Sequence, residues 1–151
     1  MSSTAYGVYR DAMENIGWSC GTDVLCAHAS VYVCEGHWAC FGTMDLNNEG
    51  NDSHRVEVRL LASTMKAWDR KIVRLEPDGH ADHASVSTML MVKYPGNNTE
   101  RKYAISIGVW IPPEDISDSV RSSVKMGRSK IIAMRLDAFT WEQSPGTHIP
   151  I

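Results

Sequence analysis

The chain has 151 residues, 43% of them hydrophobic and 22% charged, with a formal net charge of -3 and a pI near 6.0. A chain of this size buries roughly 68–70% of its unfolded surface, enough for one core without staples, so residues 1–151 read as a single domain. The balance of charge argues against a protein whose main task is gripping a phosphate backbone, and no run of 18 apolar residues offers a transmembrane helix.

The N-terminal stretch lacks a basic leader followed by an apolar core, so a cytoplasmic location is expected and no membrane contact. Residues 4–16 read as a helix. Tyr6, Tyr9, Ala12, Met13 and Ile16 make its apolar stripe, and Gly17 stands where a left-handed terminus belongs. Residues 24–34 alternate as a strand. A turn at Glu35-Gly36 leads into a return strand over 37–44, and residues 45–53, dense in Asn, Asp and Gly, read as a surface hairpin connection and a candidate recognition loop.

Residues 54–65 resume extension, with Val56, Val58 and Leu60 alternating against Arg55, Glu57 and Arg59. A short strand over 71–76 ends at Pro77-Asp78-Gly79. Residues 85–110 then form the expected centre of the fold. Two runs with a period of two flank Pro95-Gly96-Asn97-Asn98, the pattern of a β-hairpin. A second helix is expected over 114–126, with acidic residues at its start and Lys125 near its end, in agreement with the helix dipole. Residues 130–141 read as the last strand and 142–151 as an irregular tail.

The tally is about seven strands and two short helices, without regular crossover helices. The expected class is therefore mainly β (α+β): an antiparallel β-sandwich, a jelly roll or a partly open barrel.

No catalytic motif rises above background, so whether the chain is an enzyme stays open, and no cofactor is expected. Asp78-Gly79-His80-Ala81-Asp82-His83 puts two imidazoles and two carboxylates within six residues. His80, Asp82 and His83 are thus candidate metal ligands, and His80 with Asp82 a candidate acid–base pair, against the plainer reading of a solvated turn. Cys34 and His37 are a candidate nucleophile and base, against a packed thiol beside an ordinary histidine. The four cysteines, at 20, 26, 34 and 40, match no zinc-knuckle spacing, and buried thiols are the expected state. Arg121, Lys125, Arg128 and Lys130, with Trp110 and Trp141 as stacking rings, form a candidate binding surface.

Two function classes follow. The first is a non-enzymatic interaction or assembly module. It would form a homo-oligomer or bind a protein partner through strand edges, the 45–53 loop and the tail. The second is a small-molecule-binding or metal-dependent hydrolytic enzyme using the His/Asp cluster at 78–83. Single-stranded nucleic-acid binding through residues 121–135 is a weaker third class.

Overall fold

The structure, a computed structural model, describes residues 5–17, 25–62, 68–93 and 103–136. Nine strands and one α-helix lie among them: β1 (Ala5–Arg10), β2 (Glu14–Asn15), β3 (Cys26–Val33), β4 (Gly36–Asn48), β5 (His54–Ala62), β6 (Trp68–Leu75), β7 (His80–Val92), β8 (Tyr103–Trp110), α1 (Asp118–Ser123) and β9 (Val124–Arg135). All pairings are antiparallel. The first sheet runs β1-β9-β4-β7, with the short β2 also on β9, and the second runs β3-β8-β5-β6.

Alternation decides which side chains enter the core. Val56, Val58, Leu60 and Ala62 of β5 and Ile105, Ile107 and Val109 of β8 point inward from the second sheet. Trp38, Cys40, Met44 and Leu46 of β4, with Ile131 and Ala133 of β9, answer from the first. These side chains make one continuous apolar cluster, and the two sheets pack on it in a sandwich-like manner. Gly42 lets the sheets approach closely, since a Cβ there would lie 2.8 Å from Ile107 Cδ1.

Five expectations are corrected. The helix over residues 4–16 is instead β1 and β2. Tyr6 and Val8 alternate with the exposed Ala5, Gly7 and Tyr9, and pairing with β9 overrides a helical stripe that Gly7 already weakened. The central hairpin does not form. β7 pairs with β4 and β8 pairs with β3 and β5, so the two runs lie in different sheets. Alternation fixes that each run is a strand but not which strand it joins. The intervening 94–102 turn lies outside the described residues.

The second helix shrinks to a 3-10 turn (Pro113–Asp115) and the short α1. Ser117 caps α1 by accepting from Val120 N at 3.1 Å. From Val124 onward the chain is already strand, because β4 pairs with that part of it. The last strand is therefore Val124–Arg135, and residues 137–141 lie outside the described part. The expected loop at 45–53 starts later, since β4 continues to Asn48.

Two register breaks shape the surfaces. On β3, Ala27 pairs with Gly108 and Ala29 with Ile107, so His28 is the extra residue of a β-bulge. Gly108 permits this approach, because a Cβ there would overlap the Cys26 carbonyl. The bulge turns His28 into the core, where its Nδ1 lies 2.7 Å from Ser129 Oγ. On β4, Met44 and Leu46 pair with Ala84 and Ala81 of β7 and with Ser129 and Met126 of β9. Asp45 thus faces two residues instead of one on each neighbour, Asp82-His83 and Gly127-Arg128.

Candidate functional site

The outward face of the first sheet carries four of the candidate residues, His37, His83, Arg128 and Lys130. Directly opposed residues share a face, so the pairing gives its rows. Met91 stands opposite His37, and Met89, Ala39 and Met134 follow. The next row is Ser87, Phe41, Ile132 and Gly7, and after it Ser85, Thr43, Lys130 and Tyr9. Met89 is 69% exposed and Phe41 51%, and Met91 and Met134 are exposed as well. The face is apolar at the Met91 end and turns polar toward Lys130.

Beyond that row the paired bulges open a groove of about 360 Å3 lined by Tyr9, Thr43, His83, Arg128, Ser129 and Lys130. Asp45 organises it. One carboxylate oxygen accepts from His83 N at 2.8 Å and lies 3.6 Å from His83 Nδ1, while the other stands 3.7 Å from Arg128 Nε. His83 has a φ of 56°, a left-handed conformation uncommon for histidine, and the Asp45 bond to its amide helps hold it there. Asp11 lies 4.0 Å from Arg128 on the other side. The two carboxylates offset the guanidinium and leave Lys130 and the exposed Tyr9 ring as the groove's outward-facing groups.

The remaining candidates disperse. His80 and Asp82 are exposed and 3.8 Å apart, turned to each other rather than to His83. Among the described residues no three His, Cys, Asp or Glu side chains converge in a way that would hold a metal ion. Cys34 is buried beneath Trp38, whose Nε1 donates to the Cys34 carbonyl at 2.9 Å, whereas His37 points outward beside Met91. The structure therefore does not bring Cys34 and His37 into a dyad.

Cys40 is also buried, and burial pushes its thiol up to about 12, so it stays protonated and unreactive near neutral pH. Cys34 and Cys40 are free and Cys26 is disulfide-bonded. Cys20 lies outside the described residues. Of the basic candidates, Arg121 is on α1 and Lys125 pairs with Glu49 at 2.8 Å, so with Arg128 and Lys130 on β9 they form no single helical face. Trp141 and the tail 142–151 fall outside the described residues.

The outward face of the second sheet carries a cluster that sequence patterning does not disclose. The Arg59 guanidinium lies over the Trp110 ring, 3.8 Å from its centroid, and over the Trp68 ring at 4.7 Å. Its Nε donates to Glu57 Oε1 at 3.0 Å, and Arg70 approaches the same oxygen at 3.5 Å. Glu57 is only 5% exposed although it points outward. Arg59, Leu25, Leu61 and the two tryptophans line a pocket of about 210 Å3. The one hint in the sequence was the alternation of Arg55, Glu57 and Arg59 along β5. Trp68 comes from β6 and Trp110 from β8, and only the sheet joins them.

A further polar cluster sits where α1 meets β5. Ser119 Oγ is 3.3 Å from His54 Nε2 and 3.4 Å from Asp52 Oδ2. Here the carboxylate meets the hydroxyl rather than the second imidazole nitrogen, so it does not orient the ring as a nucleophilic triad requires. Arg55 is held beside it by Asp115, through Nε at 2.9 Å and Nη2 at 2.8 Å, and by Glu114, which docks the 3-10 turn on β5. Comparison with protein-family models and with curated proteins finds no match to this chain.

Proposed function

We infer that this chain is a non-enzymatic assembly module, a jelly roll that self-associates through the outward face of its first sheet. Leaving the two-residue β2 aside, the eight long strands taken in chain order fall into sheets ordered 1-8-3-6 and 2-7-4-5. That order is the double Greek key of jelly rolls, a fold that serves capsid shells, lectins and cupins alike. Fold alone does not choose among these uses.

The observation that carries the choice is the apolar row on the first sheet. Met89, Phe41, Met91 and Met134 lie side by side and uncovered, on a molecule whose interior is already filled by Trp38, Met44, Leu46, Leu60, Ile105 and Ile107. A contiguous apolar surface rimmed by polar residues is what a protein interface presents, and methionine and aromatic side chains are enriched there. The hydrolytic alternative has less to build on, since Cys34 is buried away from His37 and His80 turns to Asp82 rather than to His83. The disulfide at Cys26 favours an oxidising compartment over the cytosol-like one expected from the N-terminus.

Sedimentation equilibrium over a range of concentrations tests the reading. The expected result is a mass above that of one chain for the native protein and a single-chain mass for the Phe41→Lys/Met89→Lys double variant. A native protein that remains a single chain throughout overturns it.

A further inference from the structure

The four sheet edges differ in charge. β6 carries Asp69, Arg70, Lys71 and Arg74, and β7 carries His80, Asp82 and His83. These two edges also meet, with Ser87 N donating to Asp69 at 3.0 Å. Charges on an edge strand and cover from a neighbour are the usual protections against pairing with another chain. The opposite seam has less of either. β1 reads Ala-Tyr-Gly-Val-Tyr-Arg and β3 reads Cys-Ala-His-Ala-Ser-Val-Tyr-Val, with Arg10 as their single Lys, Arg, Asp or Glu. Arg10 is already used at one end of the seam, where it donates to the His28 carbonyl at 2.8 Å. Between the two edges runs a groove of about 380 Å3 lined by Tyr6, Gly7, Val8, Ser30, Val31 and Tyr32.

We propose that residues 137–142 of a second copy add as an antiparallel strand to the open edge of β1. Phe139 and Trp141 would then lie over Ala5 and Gly7. The proposal rests on the self-association inferred above and names the segment that takes part. Three observations support it. Phe139 and Trp141 are two positions apart, so an extended Asp-Ala-Phe-Thr-Trp-Glu segment puts both rings on one side. Aromatic and β-branched residues in this segment suit a strand.

On β1 the outward positions Ala5 and Gly7 are small and exposed. They stand opposite Met134 and Ile132, so rings placed over them would extend the same apolar row. Large aromatic neighbours compensate an edge glycine in this way. Leu136 N donates to the His37 carbonyl at 2.7 Å, so the described chain ends near the Ala5 end of β1, which pairs with Met134. A strand from a second copy is free to take the antiparallel direction, the better-bonded one.

The test uses the full-length chain with a photoreactive benzoylphenylalanine replacing Phe139, in an equal mixture of isotope-labelled and unlabelled copies. The expected result is cross-links from position 139 to residues 5–8 that join labelled to unlabelled peptides. A Phe139→Ser/Trp141→Ser double variant should weaken association at least about tenfold, as loss of two aromatic anchors does. Cross-links confined to one isotope, or directed elsewhere, overturn the proposal. So does a serine double variant that associates as tightly as the native chain, and in that case self-association through Phe41 and Met89 still stands. A native chain that never exceeds a single-chain mass overturns both.

Discussion

On the second sheet, two tryptophans near the surface are already in use: Trp68 and Trp110 hold Arg59 between them, and Glu57 fixes Arg59 from below. On the first sheet, Phe41, Met89, Met91 and Met134 stand in the open with no such partner described. Both faces put large side chains outside, but on the second the exposed Tyr32 and Ile72 stand on opposite edge strands, β3 and β6, whereas those of the first adjoin one another. An aromatic ring stacked on a guanidinium has met much of its demand within the fold, and its visibility says little about docking. The first sheet is where uncovered apolar side chains form a contiguous patch.

The sharpest way to break this contrast is to remove Glu57. Glu57→Ala leaves the partly exposed Arg59 between two rings without its counter-charge, and loss of a hydrogen bond to a charged group costs about 1.5–3 kcal/mol. Thermal or urea unfolding should show that loss, whereas a change under about 1 kcal/mol would mean that the cluster is a surface ornament.

A middle-sized effect comes from His28, buried where the two sheets meet. Burial, and then the Arg10 guanidinium, hold its imidazole below the ordinary 6.5, against a smaller opposing pull from Glu14 and the Ala12 backbone. The folded chain keeps this ring neutral while the unfolded chain takes up a proton as pH falls through 6.5. Its contribution is therefore complete above that value and declines below it, by at most about 1.4 kcal/mol per pH unit. Urea titrations between pH 6.5 and 5 should show this slope in the native protein and a shallower one in His28→Gln. Equal slopes would place the acid sensitivity elsewhere.

The smallest expected effect on stability is on the first sheet. Phe41→Lys/Met89→Lys should alter unfolding free energy by only about 0.5 kcal/mol per site, as exposed substitutions do, while changing the mass measured in solution. A large loss of stability would instead show that these side chains serve the fold.

Strands were legible in the sequence wherever inward and outward residues alternate, as along Val56 to Leu60 and Ile105 to Val109. Pairing was not legible. The two runs flanking residues 94–102 look like a hairpin, yet each pairs with distant strands, because alternation specifies a buried face and leaves the neighbour undefined. Residues 4–16 and 114–126 show the complementary error, where a helical stripe loses to the hydrogen bonds that β9 and β4 supply. Among the candidate groups, His83, Arg128 and Lys130 do share a groove. What joins them is Asp45, which in the sequence is one acidic residue in an apparent loop. Glu57 gave no sign of burial, since a carboxylate alternating with arginines has the pattern of a wet face.

The two bulges around Asp45 carry a further consequence. They sit side by side on β7 and β9, and both are measured against the same residue of the strand between them. Deleting one residue at 82–83 or at 127–128 would leave a single residue opposite Asp45 and restore regular alternation, with Ala81 and Met126 still opposite Leu46, whereas a deletion elsewhere in either strand turns every side chain beyond it to the opposite side. These two pairs are therefore the places where β7 and β9 can each lose a residue and keep their partners, a shared point of slack for three strands far apart in the gene.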